Sequence, residues 1–234
     1  MTVEQLVSQL QSVYGSTLRS VILYGSAAAG EHIAKRSDYN VLVVLDSVPL
    51  DRLPAIGAVL RSWGESGNPP PIIFTAAEWK ASADVFPMEY ADILERHRLL
   101  YGEDVTQGVS VSRQDLRLQV EHEALGKLLH LRAEAMAAGN DGGSQLRLLE
   151  ASLTSILVIF RGAVRLHGDV PPKNNIELNE AVARLAGVNP QPVNRIIEHV
   201  RGTRKIPKGE AGEVLAGYLA EMEALVASLD RFAA

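Results

Sequence analysis

No cysteine occurs among the 234 residues. Disulfides, thiolate nucleophiles and cysteine-based zinc sites are therefore excluded. No apolar run approaches the ~20 residues that span a bilayer. The opening stretch, MTVEQLVSQL, carries acid and amide groups where a secretory signal needs a basic and then an apolar segment. A cytoplasmic protein is the expectation. Excess positive charge is missing too: 23 Lys and Arg stand against 28 Asp and Glu, a net charge of -5. That balance argues against broad electrostatic binding to nucleic acid. Internal repeats and low-complexity tracts are absent. What remains is 47% hydrophobic and 22% charged, the composition of an ordinary globular protein with room for one large or two small domains.

The stretch from Tyr24 to Leu45 reads YGSAAAGEHIAKRSDYNVLVVL. An apolar run, Val21 to Tyr24, stops at Gly25-Ser26, and a turn of small residues closes at Gly30. Ser37-Asp38-Tyr39-Asn40 then leads into a second apolar run, Val41 to Leu45. Glycine boundaries and β-branched content predict strand, tight turn with a short helix start, then strand. Gly25 lets the backbone approach a ligand, because it has no Cβ. Ser26 adds a hydroxyl, and amides at a helix start favour an anion. Asp38 and Asn40 lie two residues apart entering a strand, so their side chains share one face. Two oxygen ligands on one face suit Mg²⁺, which takes few protein groups plus phosphate oxygens.

Gly25-Ser26-x-Ala28-x-Gly30, followed by Ser37-Asp38-x-Asn40-Val41-Leu42-Val43, resembles the signature of the nucleotidyltransferase (polymerase beta-like) superfamily. The resemblance covers roughly the first hundred residues, a plausible single domain. It implies that Gly25 and Ser26 hold a nucleoside triphosphate and that Asp38 supplies the first metal carboxylate. Asn40 falls where the second carboxylate stands in the family. The family's third carboxylate, a general base on a later strand, has no counterpart in the strand expected over 70–75. Two-metal transfer needs dense negative charge, and this chain matches one carboxylate of three. Lys35 and Arg36, just before Asp38, would neutralise phosphate, or else form a solvated loop.

The rest of the chain divides in two. Helices are expected over Val3 to Tyr14, Asp51 to Trp63 and, after Pro87, within Phe86 to Tyr101, with Tyr90, Ile93 and Leu94 facing inward. Ile72 to Phe74 reads as a short buried strand. Thr75 and Glu78 form a capping box for the next turn. Leu99 to Asp104 resembles the short terminal strand and turn by which many nucleotidyltransferases leave the catalytic domain, with Glu103 and Asp104 read as solvated turn residues. Glycine and serine mark a boundary near Gln107 to Ser112, giving an expected nucleotidyltransferase-like domain over 1–108 and a helical domain over 109–234.

Beyond the boundary everything reads as helix. Asp115 to Ala138 carries Leu118, Leu125, Leu128, Leu129 and Met136. Ser144 to His167 is the most apolar segment and the expected centre of a bundle. Ile176 to Leu185, Pro190 to Val200 and Glu210 to Phe232 follow. The expected class is α+β: a mixed sheet with flanking helices, followed by an all-α bundle. Such a bundle resembles the acceptor-binding domain of the aminoglycoside-modifying branch of the superfamily.

Other polar groups invite bland readings. Arg161 and His167 loosely resemble the Arg-x-x-x-x-His motif of the HEPN nucleases, whose domains accompany small nucleotidyltransferases, but cations ending a helix explain them as well. Arg201, Arg204, Lys205 and Lys208 read as a solvated basic loop. Glu121-His122-Glu123 and His130 read as exposed helix residues.

The function these residues imply is transfer of a nucleoside monophosphate from a nucleoside triphosphate to a small-molecule or protein hydroxyl. Asp38 and Asn40 would hold Mg²⁺, and Gly25, Ser26, Lys35 and Arg36 the nucleotide. The alternative is an inactive pseudoenzyme kept as a nucleotide-binding or protein-interaction module. Expected partners are the nucleotide, the acceptor and a second copy of the chain, with neither membrane nor nucleic acid.

Overall fold

The computed structural model describes residues 1–25, 27, 28 and 39–232. They form two compact units, Met1–Ser112 and Arg113–Ala234. Among the described residues no helix is long and apolar enough to cross a membrane.

The first unit is built on a four-stranded mixed sheet. Helix α1 (Val3–Tyr14) precedes β1 (Leu18–Tyr24) and β2 (Asn40–Leu45). Helix α2 (Leu53–Glu65) carries the chain across to β3 (Ile72–Thr75), and α3 (Ala76–Ala81), α4 (Pro87–Glu95) and β4 (His97–Gly102) follow. The strand order is β3-β2-β1-β4. β1 pairs antiparallel with both β2 and β4, whereas β2 and β3 run parallel.

Both faces of the sheet are covered, which is why β1 and β2 read as unbroken apolar runs. Alternate side chains divide between the faces. Val21, Leu23, Val41, Val43 and Leu45 pack with Leu6 and Leu10 of α1 and with Ile56, Val59 and Trp63 of α2. Ile22, Leu42 and Val44 pack on the other face with Trp79 of α3 and Tyr90 and Ile93 of α4. The Trp79 and Tyr90 rings stack at 4.2 Å. Tyr90 Oη donates to the Trp79 carbonyl at 2.7 Å, and Trp79 Nε1 donates to the Val105 carbonyl at 2.8 Å. Burial pushes the Tyr90 phenol up to about 12.

Local chemistry sets the boundaries of these elements. The Thr75 hydroxyl accepts from the Glu78 amide at 3.2 Å, and the Glu78 carboxylate accepts from the Thr75 amide at 2.7 Å. That is the expected capping box. The expected buried strand at 72–74 is instead half-buried, because β3 is the sheet's edge and only β2 covers its flank. Gly102 turns with φ of +79°, and a Cβ there would stand 1.9 Å from the Arg19 carbonyl oxygen.

The second unit contains α5 (Arg113–Ala138), α6 (Gly142–Leu166), α7 (Asn175–Ala186), α8 (Gln191–Arg201) and α9 (Ala211–Asp230). Helix α6 is its centre and packs against all four others. Asp141 caps it by accepting from the Ser144 amide at 2.8 Å. Helix α5 buries a face that the sequence does not single out. Its core face is Leu116, Val120, Ala124, Leu128 and Leu131. Leu118, Leu125, Leu129 and Met136 point outward. The helix carries two apolar stripes, and only the packing of α6 and α9 decides which one is inside.

An ionisable group without a partner lies in this interior. Glu221 of α9 is 1% exposed, and among the described residues neither carboxylate oxygen has a hydrogen-bond partner. Burial pushes its carboxyl up to about 8. The group is therefore protonated in the folded chain at pH values where the unfolded chain has already ionised it. Its contribution to stability is largest below the ordinary glutamate range and falls as pH rises toward 8. Glu221→Gln should therefore match the parent near pH 5 and exceed it by a few kcal/mol, about 4 at most, at pH 8. Urea unfolding at the two pH values measures this, and a pH-independent difference would contradict it. Gly102→Ala should cost at least about 2 kcal/mol in the same assay, since a backbone oxygen has little room to retreat.

Candidate functional site

The site expected from the sequence sits where β1 ends and β2 begins. Tyr24, the last residue of β1, pairs with Asn40, the first of β2, and with His97, the first of β4. Three strands are thus level at one end of the sheet. Strand alternation puts Tyr24 and Asn40 on the same face as Ile22, Leu42 and Val44, the face covered by α3 and α4.

Gly25 follows at φ of +74°, a conformation that disfavours any side chain. Its amide donates to the Arg96 carbonyl at 2.9 Å. That amide is engaged in extending the β1–β4 ladder, so what Gly25 offers a ligand is space. The space is bordered by two polar groups: a Cβ on Gly25 would meet Asn40 Nδ2 at 3.4 Å and Asp92 Oδ2 at 3.7 Å. Ser26, Lys35, Arg36 and Asp38, and the expected short helix start after Gly25, lie outside the described residues. Of the six expected site residues, the described structure places Gly25 and Asn40, and it brings them together.

Asp92 is the residue that the sequence reading passed over. It stands on α4 one turn after Glu89, and residues three apart share a helix face. Both carboxylates act on Tyr24. Burial is the first cause that lifts the Tyr24 phenol to about 12, and the negative charges of Asp92 and then Glu89 add to it. Asp92 is also 4.0 Å from the Arg96 guanidinium, which holds Glu95 at 3.1 Å. A signal was present in the sequence, because the apolar residues Tyr90 and Ile93 face the sheet and so turn Glu89 and Asp92 toward its end. Without knowledge of where α4 lies, that signal had no target.

The edge strand offers no acid. β2 and β3 are in register at Leu42 and Ile72, so one further two-residue step places Pro70 level with Asn40. Among the described residues no three acidic or histidine side chains form a metal-binding group. The polar groups bordering the Gly25 space are the Asn40 amide, whose Nδ2 is its nearest atom, and the Asp92 carboxylate. Turned about, the Asn40 amide would offer a hard oxygen, the kind of ligand that Mg²⁺ takes beside water and phosphate.

Beside this site, His97 is built into the β4 turn. Its Nδ1 lies 3.0 Å from the Ile93 carbonyl and its Nε2 3.3 Å from the Thr106 hydroxyl. Thr106 donates to Asp104 at 2.5 Å. Hydrogen bonds from Gln107 and Thr106 hold the Asp104 carboxyl below its ordinary range. Glu103 lies 3.4 Å from Arg19. Glu103 and Asp104 are turn residues, as expected.

Four of the remaining sequence candidates have structural employment. His167 ends α6, with Nδ1 2.9 Å from the Ala163 carbonyl and its ring edge-to-face with Phe232. Lys205 donates to the His199 carbonyl at 3.2 Å at the end of α8. Glu121 pairs with Arg117 at 2.9 Å, and His130 lies 3.9 Å from Glu134. None of these converges on a common point with another candidate among the described residues.

No protein-family model matches the chain, and no curated protein matches its sequence. Among solved structures, the chain is similar to the spectinomycin adenyltransferase AAD(9) from Enterococcus faecialis, solved with ATP and spectinomycin. The two share 12% identity, and the match covers 95% of this chain and 100% of that one with a TM-score of 0.59. The likeness is one of fold: the mixed sheet with flanking helices and the helical unit after it form a nucleotidyltransferase-like α+β architecture.

Proposed function

We propose that the chain binds a nucleoside triphosphate at the end of β1 and β2 and transfers its nucleoside monophosphate to a hydroxyl of a small molecule or protein. The observation that carries this reading is the convergence of Asn40 and Asp92 on the space left by Gly25, directly after the first strand. The signature residues Gly25, Ser26, Asp38 and Asn40 surround that point in sequence. A solved protein of the same fold, a spectinomycin adenyltransferase, holds ATP and spectinomycin, which supports a nucleotide and a small-molecule partner here.

In this reading Gly25 admits the triphosphate, and Ser26, Lys35 and Arg36 hold its phosphates. Asp38 and Asn40 would hold Mg²⁺, which when bound neutralises phosphate charge. The acceptor oxygen bonds to the α-phosphorus, the bond to the β-phosphate oxygen breaks, and pyrophosphate leaves. The acceptor's proton passes to a carboxylate. With none on β3, Asp92 is the described carboxylate beside Asn40 and takes that role. Stabilisation is mainly electrostatic, from fixed charges around the transferring group.

A second reading has specific support. Asn40 is neutral and the edge strand bears no acid, so the same fold would serve as a nucleotide-binding or interaction module without transfer. The two readings share the pocket and differ in turnover.

Calorimetric titration with ATP, GTP, CTP and UTP, with and without Mg²⁺, tests the shared part. Metal-dependent binding of at least one nucleotide is expected, with Asp38→Ala weakening it at least about tenfold, the loss of one charge-assisted contact. No binding of any nucleotide would overturn both readings. Radiolabel transfer then separates them. Asn40→Asp should tighten the Mg²⁺ dependence and raise any transfer rate, because it restores a second carboxylate. Asp92→Asn should leave nucleotide affinity nearly intact and lower the transfer rate by about 10²-fold, the scale of a general base. Binding with no transfer in the parent and in Asn40→Asp would select the module.

A further inference from the structure

Helix α5 exposes an apolar seam on the side away from its own core. Leu118, Leu125, Leu129 and Met136 are 53%, 43%, 55% and 77% exposed. At 3.6 residues per turn they fall within about 20° of one line along the helix, about 140° around from the buried stripe. Scattered exposed leucines are ordinary, whereas four large apolar side chains aligned along five turns form a continuous patch that water solvates at a cost.

The seam is symmetric about its midpoint. Leu118 and Met136 lie equally far from Lys127 on either side, and so do Leu125 and Leu129. We infer that this face pairs with itself: two copies of the chain associate through antiparallel α5 helices related by a two-fold axis at Lys127. In that register Leu118 meets the partner's Met136, and Leu125 meets the partner's Leu129. Every seam residue is matched to another, as an isologous contact requires.

The flanks agree with this arrangement. A two-fold axis across the helix pair sets like flanks side by side. Glu121 and Arg132 occupy one flank of the seam, and the register brings Arg132 beside the partner's Glu121. Within each chain Glu121 already pairs with Arg117 at 2.9 Å, and Arg132 with Glu223 at 2.8 Å. The dimer would join these pairs into alternating rows along that one flank. On the other flank His122 faces the partner's Ala133, a large group against a small one. A parallel pairing would instead bring unlike flanks together, Glu121 beside the partner's His122 and Arg132 beside the partner's Ala133, and would form no Glu121–Arg132 pair.

The seam is about 27 Å long by the helical rise, and about 10 Å wide. It therefore covers about 300 Å² per chain, well below the area of a standard stable interface. The association is accordingly reversible, with a dissociation constant in the micromolar to submillimolar range.

The absence of cysteine makes the register testable in the full chain. Sedimentation velocity from about 5 to 500 µM, spanning that affinity range, should show a monomer–dimer shift. Leu125→Glu with Leu129→Glu should abolish it while the circular-dichroism melting profile stays unchanged. Under mild oxidation, a mixture of Leu118→Cys and Met136→Cys proteins should form a disulfide-linked pair. Each variant alone should not, because like positions lie about 27 Å apart. Arg132→Glu should weaken the dimer about tenfold, and adding Glu121→Arg should restore it. A monomer throughout the range, a dimer indifferent to the two glutamates, or cross-linking of Leu118→Cys with itself would each overturn the proposal.

Discussion

The pairing of β1 with β2, buried on both faces, is the constraint on which the first unit depends. Eight core positions in the two strands, Val21 to Leu23 and Val41 to Leu45, leave no solvent-facing side. A one-residue slip would exchange the two faces entirely, moving residues fitted to α1 and α2 against Trp79 and Tyr90. The register is therefore rigid, and with it the position of Tyr24 opposite Asn40. A site at the end of such a ladder is held by a core that cannot easily shift.

That rigidity gives meaning to the distribution of charge. In the superfamily that the motif resembles, acids stand on strands. Here β2 begins with a neutral Asn40, β3 is free of acid, and Asp92 comes from a helix. A helix-borne carboxylate arrives from the covered face of the sheet beside the half-buried Tyr24 phenol. The same carboxylate faces Arg96, so its charge is shared between a cation and the space beside Gly25. The chemistry open to the site depends on how that charge is shared.

The helical unit shows two opposite departures from a simple amphipathic bundle. Glu221 places an ionisable group where apolar packing would serve, and Leu118, Leu125, Leu129 and Met136 place apolar groups where water would. The first costs stability at high pH. The second lowers solubility unless the face is covered. Neither feature serves the stability of a lone bundle, and both follow from residues that a packing-only solution would not select.

From the sequence alone one obtains the strands, the approximate helix limits and the capping box at Thr75 and Glu78. These are legible because they depend on local preference: alternation, glycine and proline punctuation, and spacing along a few turns. Tertiary structure alone decided that Asp92 stands beside Asn40, that β3 is a half-buried edge, and which of the two apolar stripes of α5 is the core. Each of those outcomes is a choice between faces. A helix forms equally well whichever way it is turned, so only the elements packed against it select the side that meets the sheet, the bundle or the water.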